Sequence, residues 1–218
     1  MKKVLVLIAL VLAVLCVAVP PALADNGVRQ DGQGKYAPLT ALWWQWILEQ
    51  PAATNPNLDA TGADAANGQP LDGVFFLAGS FGGAVTREFT VPAEAALFLP
   101  LLNNLGLAPA PAPHPRPDQN QVPQLRTLYA APLIDDADIG SLHVTLDGTA
   151  IGTYERVKSP VFHVTSVDGD LLGAGRFTAV SDGYWLYLPP LSAGRHVLDF
   201  GGTSDGFTVQ VTDIITVE

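Results

Sequence analysis

From residue 38 onward, five Asp-Gly pairs punctuate the chain: Asp72-Gly73, Asp147-Gly148, Asp168-Gly169, Asp182-Gly183 and Asp205-Gly206. Asp-Gly readily adopts the positive φ angles of two-residue hairpin turns. Four of the pairs fall after residue 140, among short segments in which apolar and polar residues alternate. These segments are Ser141–Leu146, Val161–Thr165, Tyr184–Leu188, Arg195–Phe200 and Phe207–Val217. Alternation places one face of a strand in a core and the other in water. Upstream, Gly73–Ala78, Arg87–Val91 and Ala95–Leu102 also read as strands, with Pro100 marking an edge or a strand end. The rhythm of strand, helix, strand that builds a parallel sheet is absent. The expected fold is mainly β: an antiparallel β-sandwich of jelly-roll type with one short N-terminal helix.

That helix is predicted at Pro38–Gln50, where Leu39, Trp43, Trp46 and Ile47 recur at helical spacing. Thr40 is a candidate N-cap, and Pro51 stops the segment. Residues 51–72 are rich in Asn, Asp, Gly and Pro and read as a loop. Residues 107–123 contain six prolines and read as an extended surface insert, followed by a short helix at Gln124–Ala131.

The N-terminus reads as a secretory signal. Lys2 and Lys3 precede an unbroken apolar run from Val4 to Val19, and Ala22-Leu23-Ala24 has the small residues of a cleavage site. A span of that length reaches about 24 Å, short of a bilayer core near 30 Å. The domain plan is therefore a signal peptide at 1–24, a flexible leader at 25–37 and a single domain at 38–218. Cleavage after Ala24 places the mature chain in the periplasm or outside the cell, with no later membrane span. It also removes Cys16, the only cysteine, so thiol catalysis, cysteine-bound zinc and disulfides are excluded from the mature chain. Loss of Lys2 and Lys3 takes the formal charge from −10 to −12, which opposes nucleic acid and anionic membranes as partners. Charged residues make up only 15% of the chain, against roughly 25% in an average soluble protein.

Across the domain, a set of short motifs is similar to one in a group of uncharacterised secreted bacterial proteins. They are Trp43 and Trp46, Asn55-Pro56, Asp59, Thr61-Gly62, Gln69 and Phe76–Gly79. They continue with Arg87, Val91-Pro92, Phe98–Pro100, Asn103, Gly183–Trp185, Leu188–Leu191 and Gly194–His196. The resemblance implies secretion and a β-rich fold, and brings no activity. It also implies a cysteine pair near positions 65 and 89, where this chain has Ala65 and Phe89.

Candidate chemistry is sparse. Trp43, Trp44 and Trp46 suit either a sugar-stacking platform or a helix packed onto a sheet, with Trp44 pointing away from the shared face. Asp59, Gln69, Arg87 and Asn103 suit a ligand pocket; alternatively Arg87 bonds a carboxylate and carbonyls and holds the 51–72 loop on the sheet. Two aspartate clusters, Asp135/Asp136/Asp138 and Asp168/Asp170, are either calcium ligands or solvated turns, and neither has the spacing of an EF-hand loop. His143, His163 and His196 sit in strand patterns without short ligand spacing, and His114 lies in the proline insert. His196, just after Gly194, is expected to bond backbone at a strand start. Gly79-Ser80-Phe81-Gly82 lacks the first spacer of a nucleophile elbow and reads as a hairpin or bulge. No phosphate loop, dinucleotide fingerprint or zincin motif is present, so no cofactor or metal is assigned.

The sequence thus points to a non-catalytic binding or structural protein of the bacterial envelope or extracellular space. A polysaccharide or an envelope protein is the expected partner, with Trp44, Asp59, Gln69, Arg87 and Asn103 as the ligand-contacting candidates. A glycan hydrolase with two facing carboxylates and a calcium-stabilised adhesive module are the alternatives.

Overall fold

The computed structural model describes residues 35–109 and 141–218. The signal segment, the proline insert beyond residue 109 with His114, the helix expected at 124–131 and Asp135, Asp136 and Asp138 lie outside the described residues. Residues 107–109, expected within the insert, are instead the end of a strand.

Among the described residues, one α-helix, α1 (Ala37–Leu48), precedes a short 3-10 turn (Ala52–Thr54) and ten strands. These are β1 (Val74–Phe76), β2 (Gly83–Val91), β3 (Ala96–Pro109), β4 (His143–Leu146), β5 (Thr149–Ala150), β6 (Glu155–Lys158), β7 (Phe162–Ser166), β8 (Gly175–Leu188), β9 (Gly194–Ser204) and β10 (Phe207–Val217). The first sheet runs β1-β3-β8, with β6 and β7 both pairing along the free edge of β8. The second runs β2-β10-β9-β4-β5.

The architecture is mainly β, as the sequence indicates, but both sheets are mixed. β1 pairs parallel to β3, and β2 pairs parallel to β10 over the full register Gly83–Val91 to Val209–Val217. Hairpin turns report only on consecutive antiparallel strands. The partnership of β2 with β10, more than a hundred residues later, leaves no local signal, so the purely antiparallel expectation fails at these two pairs.

The first sheet is covered on both faces, which explains the continuous apolar runs in its strands. Leu97, Leu99, Leu101, Leu186 and Leu188 face the second sheet and join Leu198, Phe200, Val211, Ile215 and Val217 in one core cluster. Phe98 and Trp185 face the other way and join Trp43, Trp44, Trp46, Ile47 and Phe76 beneath α1. Phe98 and Trp185 stack with centroids 5.1 Å apart. Ala65 and Phe89, where the resemblance implies a cysteine pair, instead belong to the apolar core between the sheets.

Pro100 stands within β3 rather than at its end. The backbones of Ala96 and Phe98 bond toward β1, to Gly73 and Leu77. Pro100 shares their parity but lies beyond the end of β1, so its missing N–H removes no ladder bond, and the strand shifts register between Pro100 and Leu102. Asp182-Gly183 likewise lies inside β8, not in a turn. Gly183 is required there because a Cβ would sit 2.5 Å from that of Asn103, its register partner. Asp147 and Asp205, by contrast, do take positive φ (52° and 49°) in the β4–β5 and β9–β10 turns.

Helix α1 begins one residue earlier than expected and absorbs the end of the proposed leader. Tyr36 occupies the N-cap position, and its ring stacks on Tyr187. Thr40 is therefore not the cap. It is buried in the first turns, its hydroxyl donating to the Ala37 carbonyl. At the other end, Asn55 Nδ2 donates to the Ile47 carbonyl, satisfying one of the acceptors that every helix C-terminus exposes.

Candidate functional site

The residues that the sequence singles out do not converge. Asp59 organises the loop after α1: its carboxylate accepts from the Thr61 N–H and hydroxyl, the Gly62 N–H and the Asp64 N–H. Burial pushes this carboxyl up, but the bonds from Asp64, Thr61 and Gly62 outweigh it and hold the group below the usual carboxylate range. Gln69 pairs like a strand residue with Phe76, accepting from its N–H at 2.7 Å and donating to its carbonyl at 3.0 Å, and also donates to the Ala65 carbonyl.

Arg87 is a carbonyl clamp. Buried on the inner face of β2, it donates from Nε to the Asp59 carbonyl, from Nη1 to that of Ala78 and from Nη2 to that of Gly79. One guanidinium thus fixes the loop after α1 and the β1–β2 connection to the second sheet. Its charge partner is Asp213, with Nη1 3.9 Å from Oδ1. Both Asp213 oxygens are buried with no hydrogen-bond partner. Burial, only partly countered by Arg87, pushes its carboxyl up to about 7.

Trp44 and Asn103 remain. Trp44 was expected to be the exposed ring, yet it is 7% accessible, packed edge-on against Trp43. The reason is that α1 is covered around most of its circumference, by the loop after it as well as by the sheet. Trp43 donates to the Leu77 carbonyl and Trp46 to that of Asn67. The indole N–H of Trp44 finds no acceptor, nor does Nδ2 of half-buried Asn103. Trp185 Nε1 and Ser181 Oγ are in the same condition. Ser181, Gly183 and Trp185 alternate along β8 on the face toward α1, and Asn103 is the register partner of Gly183. Three neutral N–H donors and a hydroxyl thus lie without partners in the layer between α1 and the first sheet.

The histidines do not assemble. His163 contacts the Thr178 hydroxyl on β8, and His143 Nε2 lies 3.3 Å from Asp199 Oδ1. Asp170 accepts from the Val167 N–H within its own turn. Among the described residues no group of three or more His, Cys, Asp or Glu is arranged to hold a metal ion. Ser80 closes its own turn with Gly82 and Gly83.

Ser192, His196 and Asp147 form an arrangement that the sequence reading missed except for the backbone bond of His196. His196 Nδ1 lies 2.7 Å from Asp147 Oδ2, and Nε2 lies 3.3 Å from Ser192 Oγ, the order of a nucleophilic triad. Nε2, however, is closer still, at 2.9 Å, to the Ser192 carbonyl. A carboxylate and a carbonyl only accept. Only the doubly protonated ring satisfies both contacts at once, and in that state it cannot take the proton of Ser192. The bond from Asp147, then that from Ser192, raises the His196 pKa above its ordinary value, against a small opposing effect of burial. The signal for the Asp147 contact was its Asp-Gly turn; its proximity to His196, forty-nine residues on, is tertiary.

Comparison of the chain with family models, with curated proteins and with solved structures returned no match. Among the described residues no helix is long and apolar enough to cross a membrane.

Proposed function

We propose that this chain is a secreted, non-catalytic binding module of the bacterial envelope or extracellular space, its two sheets a jelly-roll-like sandwich, and its ligand a polysaccharide or a glycan-bearing envelope partner. The observation that carries this reading is the set of unpartnered neutral groups at Trp44, Trp185, Asn103 and Ser181. A buried donor without an acceptor costs about 1–3 kcal/mol, so a fold that retains several in one layer gains when a ligand supplies acceptors. Neutral donors beside indole rings suit sugar hydroxyls and ring oxygens, and none of the four groups exchanges protons near neutral pH. Asp59, Gln69 and Arg87 support the site from outside it, by fixing the loop that backs α1.

The test is binding of the purified mature chain to an array of bacterial glycans, read by tryptophan fluorescence. The paired variant Trp44→Phe/Asn103→Leu keeps both positions apolar and filled in large part, and removes both donors. Weakening of glycan binding by tenfold or more, with cooperative thermal unfolding retained, is the expected result. Glycan cleavage by the wild-type chain would favour the hydrolase reading instead. A calcium-dependent rise of several degrees in the midpoint would favour the adhesive-module reading.

A further inference from the structure

His196 stands at one end of the core between the two sheets, where the loop from β8 to β9 passes the β4–β5 turn. We propose that it is a proton-operated latch: the charged ring ties the β8–β9 loop to the β4–β5 turn, and loss of one ring proton releases the loop.

The geometry makes the two ends of the latch unequal. On the turn side, Asp147 is held three ways. Its Oδ2 takes the His196 Nδ1 proton at 2.7 Å, its Oδ1 accepts the Val197 N–H at 2.8 Å, and its own N–H donates to the Val197 carbonyl at 2.8 Å. On the loop side, the Ser192 carbonyl is held by Nε2 at 2.9 Å, and the Ser192 hydroxyl stands at 3.3 Å from the same nitrogen. A neutral imidazole has a single N–H. The charge-assisted bond to Asp147 is the stronger of the two, so the remaining proton stays on Nδ1. Nε2 then presents a lone pair to the Ser192 carbonyl oxygen and repels it, and the one bond left to the loop is the longer one that Nε2 can accept from the Ser192 hydroxyl at 3.3 Å. The turn stays closed while the loop is held more weakly.

The groups around the ring leave Asp147 as its charged partner. His196 shares the inner face of β9 with Leu198 and Phe200, and its register partner on β10 is Ile215. Arg195 alternates to the opposite face. The loop contributes Ser192, and Leu191 beside it packs on the core cluster. Release of Ser192 therefore loosens the cover that Leu191 and Leu188 provide at this end of the core. Because the partners raise the His196 pKa, the latch is closed in acid and opens as pH rises through the folded-state value.

The experiment is a pH titration of the full secreted chain by NMR, following the His196 ring together with amide exchange at residues 191–194. With exchange corrected for its intrinsic pH dependence, protection at Ser192–Gly194 is expected to fall by tenfold or more through the His196 midpoint. That midpoint should lie above the ordinary histidine value. Asp147→Asn keeps an acceptor for Val197 but removes the charge, and should lower the midpoint and shift the loss of protection with it. Protection that is indifferent to the state of His196, or a midpoint that Asp147→Asn leaves unmoved, would overturn the latch.

Discussion

Arg87 and Asp213 are register partners on the parallel strands β2 and β10, yet the aspartate receives no hydrogen bond from the arginine that faces it. The guanidinium aims its N–H groups at three carbonyls and leaves the carboxyl at 3.9 Å with both oxygens buried. The carboxyl titrates near 7 in the fold against about 3.8 when free. Below 3.8 both states are protonated and the favourable contribution is complete; it declines as pH rises to about 7 and is constant above. Stability should therefore fall between about pH 4 and 7. Asp213→Asn should flatten that slope and raise the thermal midpoint at neutral pH. A slope that persists in the variant would place its origin elsewhere.

Removing the other partner should act in the opposite direction. Arg87→Ala leaves three carbonyls without a donor and Asp213 without a counter-charge, a loss on the order of 3–5 kcal/mol by chemical denaturation. Arg87→Lys should restore little, because one ammonium cannot present the planar fork that reaches Asp59, Ala78 and Gly79 together.

The tryptophan helix offers a graded test. Trp43→Ala and Trp46→Ala each remove a buried ring and a bond to a loop carbonyl, and should cost about 3–5 kcal/mol. Trp44→Ala should cost a comparable amount for its buried ring, whereas Trp44→Phe, which discards the unpartnered N–H together with a small part of the ring, should cost distinctly less. A large loss in Trp44→Phe would reveal an acceptor for that indole.

Gly183→Ala introduces a Cβ 2.5 Å from that of Asn103. Overpacking of this kind should lower stability by about 1–3 kcal/mol, read from the denaturation midpoint. Asn103→Gly in the same chain should recover only part of the loss, because the Cα of residue 103 and the Leu102 carbonyl oxygen still lie 2.7 and 2.8 Å from the new Cβ.

Local chemistry made several of these elements legible in the sequence. The helical spacing of Leu39, Trp43, Trp46 and Ile47 locates α1, and the alternation from Phe207 to Val217 locates β10 with its inward and outward faces. Asp147-Gly148 and Asp205-Gly206 mark two hairpin turns because positive φ is a property of the residues themselves. Even Asp213 was present in that alternation, as the one acid among the inward positions Val209, Val211, Ile215 and Val217.

Partnership was decided by tertiary structure alone. Nothing near Arg87 specifies that β2 lies parallel to β10, and nothing near His196 specifies Asp147 across the sheet. Pro100 and Gly183 carry local signals for an edge and a turn, and both sit inside strands. The end of β1 beside Pro100 and the side chain of Asn103 against Gly183 override them. Burial of Trp44 belongs to the same class. A helix period predicts which residues share a face, but how many faces are covered depends on what packs around them. Here β6, β7 and β8 pack against the helix, and the loop after it bonds Trp46 and the Ile47 carbonyl, so a helix that the sequence leaves half open is closed.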